Sequence, residues 1–263
     1  MTKSQRINLV AFSLSVSLTS ASFLHAAEAP ALEKIPEAVP VPTQQSSSPF
    51  STNLSAGYDS DYIFRGLDMG ENLVWTGLGL EVPLCDGVQF NAGAWYGTLA
   101  DTNFGELDLS AGLTYDLGPA TVGVGYTYYH FARGMFNARG VSNTSDINGT
   151  LVSSYGPVNF AFLYSYNTRT DGHYLELGAS TRIPLCENAA LVPAASIGYN
   201  DEYHRGTSDG FSAVNISLSV PVKITNNAIL TPYVAASFAL DSLEPINASE
   251  DIFYGGVNLA IGF

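Results

Sequence analysis

His130, His173 and His204 are the residues of this chain best suited to general acid–base work; the fourth histidine, His25, sits in the N-terminal leader. A lipid-degrading site would need one of them beside a nucleophilic serine, with a third polar group to orient the ring. None is followed two residues later by serine on the same strand face: His130 precedes Ala132 and His173 precedes Leu175. All three fall at strand ends or in loops, where a solvated histidine is ordinary. Asp59 and Asp61 with His204 imitate a rim protease only weakly. No His or Cys cluster has metal-ligand spacing. No catalytic residue, metal or cofactor is therefore expected.

The second kind of chemistry is charge set on an alternating backbone. In the segment 106–117, Glu106, Asp108, Ser110, Gly112 and Thr114 share one face and Leu107, Leu109, Ala111, Leu113 and Tyr115 the other. Strict alternation over about ten residues is the signature of a transmembrane β-strand, apolar towards lipid and polar towards a lumen. Applied along the chain, the same parity turns Glu81, Glu106, Asp108, Asp116, Asp146, Glu176, Arg182 and Lys223 inward. A dry core would make such charges costly, whereas a water-filled lumen tolerates them and uses them for selectivity. Glu81, Glu106, Asp108, Glu176 and Arg182 are the pore-lining candidates. Trp75 and Trp95 fall on the same face and would narrow or fill the pore. Glu176 and Arg182 lie ~20 Å apart along one strand, so cross-strand partners are expected for both.

These residues need a closed sheet to hold them. Twelve strands are predicted: 50–58, 72–83, 88–99, 106–117, 120–132, 146–155, 157–168, 173–185, 190–201, 209–223, 227–240 and 251–263. The fold class is all-β, a transmembrane antiparallel up-and-down β-barrel. Even strand number suits a single-chain barrel, and the connections agree, with short turns at 84–87, 118–119, 156, 186–189 and 224–226. Longer loops are expected at 59–71, 133–145, 202–208 and 241–250. Tyr96, Tyr115, Tyr126, Tyr128, Tyr155, Tyr164, Tyr166 and Tyr199 point outward near strand ends, as the aromatic girdles of such barrels do. Twelve tilted strands give a backbone diameter of roughly 24 Å, between side-chain-filled barrels and wide porins.

Composition agrees. The apolar fraction is 46% but charged residues make up only 13%, with 25 Gly and 15 Tyr. Mean hydropathy is +0.12, too low for a helical membrane protein. Lys3 and Arg6, the apolar run 7–24 and the small residues near Ala27 form a signal peptide, 1–27. The Pro/Ala/Ser-rich stretch 28–49 reads as a disordered periplasmic leader, leaving 50–263 as the barrel. The net charge of −14 argues against nucleic acid as a partner. Outer-membrane lipid, the barrel-assembly machinery and small solutes are the partners expected, in the outer membrane of a Gram-negative cell. Phe263, the outward end of the last strand, is expected to be the assembly signal. Cys85 and Cys186 fall in turns half a barrel apart, too distant for a disulfide, which needs Cα atoms within ~7 Å.

The stretch Ser60-Asp61-Tyr62-Ile63-Phe64-Arg65-Gly66 resembles the S-x-Y-x-F-R-G segment of the TorF-like family of outer-membrane porins. The resemblance implies an outer-membrane barrel with a porin role. Physically, Arg65 is expected to pair with Asp59, Asp61 or Asp68 and fix the first outer loop. The functional expectation is a porin-like channel passing small solutes passively, with a preference for cations. The alternatives are a structural or adhesive barrel with a lumen blocked by Trp75, Trp95 and loop residues, and a hydrolase at the rim.

Overall fold

Alternating sequence cannot bury its apolar face on one sheet without a second layer or a lipid solvent, and this chain takes the second course. The computed structural model describes residues 50–102, 104–133, 143–204, 207–243 and 251–263; the signal peptide expected at 1–27 and the leader expected at 28–49 lie outside them. The barrel strands are β1 (Ser51–Phe64), β2 (Leu67–Cys85), β3 (Val88–Leu99), β4 (Gly105–Asp116), β5 (Ala120–Arg133) and β6 (Thr144–Tyr155). They continue with β7 (Val158–Asn167), β8 (Gly172–Thr181 and Ile183–Cys186), β9 (Ala189–Asp201), β10 (Gly210–Ser219 and Val222–Lys223), β11 (Ala228–Ala239) and β12 (Ile252–Gly262). Each pairs antiparallel with its sequence neighbours. The pairing of β1 with β12, from Asn53 opposite Gly262 to Asp59 opposite Gly256, closes the ring. The fold is a closed twelve-stranded antiparallel barrel of the transmembrane type.

The outer wall is apolar and exposed: Leu54, Val74, Leu78, Leu109, Leu113, Val124, Ile147, Leu151, Leu177, Ile216 and Val234 all face outward. A continuous apolar belt of this kind would aggregate in water and is stable in a hydrocarbon solvent. Tyr96, Tyr115, Tyr126, Tyr155 and Tyr199 stand exposed among it. Among the described residues no helix is long and apolar enough to cross a membrane. Cys85 and Cys186 are exposed and unbonded.

From the third strand onward each observed strand starts and stops within two residues of its expected bounds. The first two do not. Residues 59–71, expected as a loop, are strand almost throughout: β1 runs on to Phe64 and β2 begins at Leu67. Only Arg65 and Gly66 turn, with φ of 54° and 82°. Two successive positive φ values are what a tight hairpin turn between right-twisted strands requires, and glycine supplies one of them without a Cβ penalty. The extension escapes an alternation test because the ladder shifts register between Tyr62 and Ile63. A bulge there bends the hairpin and breaks the period of two.

Candidate functional site

The bent end of the β1–β2 hairpin lies inside the barrel. In a ring of twelve, β7 stands opposite β1, so a bond between β1's end and β7 must cross the lumen. Arg65 makes that crossing. Its Nη2 donates to Ser165 Oγ on β7 at 2.8 Å, and its Nη1 lies 3.0 Å from Asp146 Oδ2 on β6. Both side chains of that ion pair are almost fully buried. The guanidinium also sits over three rings, 4.4 Å from the centroid of Tyr203, 4.9 Å from Tyr174 and 5.0 Å from Phe64. Next to it Gly66 packs on the inner face of β10: a Cβ built there would lie 2.6 Å from Cβ of Ala213.

Arg65 thus pairs with an acid remote in sequence. Asp59, Asp61 and Asp68, the partners expected, are its neighbours on the strands that carry the turn. Asp59 instead accepts from Trp75 Nε1 and from Tyr233 OH, each at 2.7 Å. Ser60 Oγ donates to Asp61 at 2.7 Å and accepts from the backbone N–H of Gly255 at 3.1 Å. Asp68 accepts from the Gly70 N–H. The ion pair is not a solvated rim contact of the kind worth little. It is a buried pair whose acid is saturated with donors: Tyr203 OH at 2.6 Å, Tyr129 OH at 3.1 Å and Asn167 Nδ2 at 2.9 Å.

The rest of the motif packs to either side. Tyr62 OH donates to Glu106 at 2.8 Å. Its ring joins Met69, Leu73, Trp75, Trp95, Leu99 and Phe104 in one buried cluster, with Phe64, Leu67 and Phe131 against it. Ile63 packs on the far side with Tyr233, Ala235 and Tyr254. The hairpin end therefore touches wall residues on nearly every strand around the ring, and its level of the lumen is occupied by side chains.

Of the residues singled out from sequence, Glu81, Glu106, Asp108, Glu176, Trp75 and Trp95 all lie buried on the inner face. Glu106 and Asp108 stand at the hairpin's height. Glu176 accepts from Tyr174 OH at 3.0 Å. Glu81 stands lower, near the short turns, accepting from Gln89 at 3.0 Å and Ser51 at 3.3 Å. Arg182 shares the inward parity at the break in β8, apart from the hairpin. Trp75 and Trp95 do not project across the pore. Their indoles lie flat over Gly57 and Gly97, where a Cβ would collide with the rings.

Tyr129, Tyr174, Tyr203 and Tyr233 complete the site and are not among the residues singled out from sequence. Parity along β5, β8 and β11 is the signal available for three of them. Tyr203 follows a strand end and carried no such signal. His204, expected to be solvated, is buried beside Tyr203, with edge contacts to the rings of Phe64, Tyr174 and Tyr203 at 6.3, 6.3 and 5.1 Å. Burial first, and then the Arg65 charge, lower its pKa to about 3, partly offset by a hydrogen bond to the Arg65 backbone. His173 Nδ1 pairs with Tyr164 OH at 2.8 Å, on the outer wall.

A polar-lined ring with an apolar exterior defines a transmembrane β-barrel, here with a hairpin folded into its lumen. The chain belongs to the family described as bacterial protein of unknown function (Gcw_chp), whose model matches residues 43–238. Comparison with curated protein sequences gave no match. Among solved structures the chain is similar to a KdgM porin, at 11% identity and TM-score 0.49, covering 81% of this chain and 99% of that one. It is similar to an outer membrane channel from Pseudomonas putida F1, at 10% identity and TM-score 0.47 over 81% and 95%. It is also similar to LpxR from Salmonella typhimurium, at 10% identity and TM-score 0.49 over 80% and 99%.

Proposed function

We propose that the chain is a porin-type channel of the outer membrane that passes small solutes passively and prefers cations. The observation that carries this reading is the inner face: a closed ring lined by Ser, Thr and Asn, with Asp59, Glu81, Glu106, Asp108, Asp146 and Glu176 all turned inward. Acidic groups in a confined low-dielectric passage raise the local concentration of cations and oppose anions. The apolar outer belt supports a lipid location. Reconstitution in planar bilayers under a KCl gradient tests the proposal. Discrete conductance with a reversal potential of cation-preferring sign is expected; a clear anion preference would count against it.

A second reading has one specific observation in its favour. A lumen filled at the hairpin's level suits a structural or adhesive barrel whose outer loops hold a partner. The two readings separate in the unaltered chain. A channel shows discrete conductance in planar bilayers, whereas a structural barrel stays silent until the hairpin end is replaced by a short turn.

A further inference from the structure

The hairpin end is attached in two unequal ways. Its base continues the barrel ladder, with Asp59 opposite Leu73 and Asp61 opposite Glu71. Its tip is held to the barrel wall by the Arg65–Asp146 pair, the Arg65–Ser165 hydrogen bond, the ring faces of Tyr174 and Tyr203, and Gly66 against Ala213 and Leu243. Between base and tip the backbone is irregular on both strands at one height. β1 shifts register at Tyr62/Ile63, and β2 carries positive φ at Gly70 (132°) and Asn72 (60°). The ladders to the neighbouring strands end at Asp59 and Leu73, beyond which β1 and β2 pair with each other. Departure from the ring, a two-sided irregularity and a polar latch are what a moving element needs.

We propose that the segment Ile63–Gly70 is a gate, docked across the lumen by Arg65 and released by a swing about the irregularity at Tyr62 and Asn72. The proposal rests on the channel reading and adds its regulation. Release leaves Asp146 with the donors of Tyr129, Tyr203 and Asn167 and admits water to it, so the acid is not stranded. It also withdraws the Arg65 charge from the narrowest level and takes Tyr62 from Glu106. Opening and cation preference are then one event, because the acids of the wall face the passage only when the hairpin has left.

The test is single-channel recording of the full chain in planar bilayers. Arg65→Ala should raise the ratio of open to closed time about 100-fold, the size of effect expected when one partner of a buried pair is removed. A staple supplies the converse. Gly66→Cys with Ala213→Cys, in a Cys85→Ser, Cys186→Ser background, joins the tip to the wall at β10. The oxidised staple should be silent and the reduced one should conduct. An oxidised staple that conducts like its reduced form overturns the gate while leaving the channel. So does an unchanged open time in Arg65→Ala, which serves where the stapled chain does not fold. A folded barrel that stays silent even with residues 63–70 replaced by a short turn overturns the channel reading itself, and the gate with it.

Discussion

Asp59, Asp146 and His204 behave as they do because the lumen at their level is crowded. Asp59 holds two donors from different strands, Trp75 and Tyr233, so Asp59→Ala strands both in a buried place. Losing about 3 kcal/mol of unfolding free energy is expected, read by denaturant titration, with Asp59→Asn less damaging because it keeps an acceptor. His204 has a folded pKa of about 3, below its ordinary value of 6.5. The docked hairpin therefore holds it neutral, and its contribution is complete above pH 6.5. That contribution is lost as pH falls from 6.5 towards 3, because only the undocked or unfolded state accepts the proton. The groups facing the ring are the Arg65 guanidinium and the rings of Phe64, Tyr174 and Tyr203, with Asp146 behind Tyr203. Open probability should rise by roughly tenfold per pH unit between 6.5 and 5. His204→Gln should flatten that slope, and an equally steep slope in this variant would remove His204 from the account.

At the scale of elements, most strands were legible because each carries one parity from end to end. β4 is plain in its own residues, Glu106 and Asp108 against Leu107 and Leu109. The β1–β2 hairpin was not legible, since its buried positions run Asp59, Tyr62, Ile63, a spacing that belongs to no regular strand. A register shift looks like a loop when only periodicity is read. Arg65's partner could not be found locally either, because Asp146 reaches it by ring closure rather than by chain proximity. Alternation places Trp75 and Trp95 on the inner face but carries no sign that they pack against glycine. Gly57 and Gly97 allow that, and they admit a test. Gly97→Ala should push the Trp95 indole off the wall, costing about 1–3 kcal/mol. The chain has only two tryptophans, so a red shift in its fluorescence reports the change; an unshifted spectrum would contradict the packing.

At the scale of the molecule, Phe263 extends the β1–β12 seam that closes the ring. The backbone of Phe263 exchanges hydrogen bonds with Thr52, at 2.9 and 3.3 Å, beyond the last strand-to-strand ladder pair. Its ring is exposed on the outer wall, so it adds little to packing. Phe263→Ala keeps both backbone bonds. It should lower the amount of barrel inserted in the outer membrane severalfold while leaving conductance per channel unchanged. Normal membrane levels of the variant would show that assembly does not read this ring.

The crossing made by Arg65 also dictates a sequence of events. Its partners on β6 and β7 lie far along the chain from the turn, Ser165 by 100 positions. Contacts of such separation form late, because the intervening chain must be organised before they can be made. The first hairpin in chain order is thus expected to be the last to reach its final place, docking into a ring that has already closed.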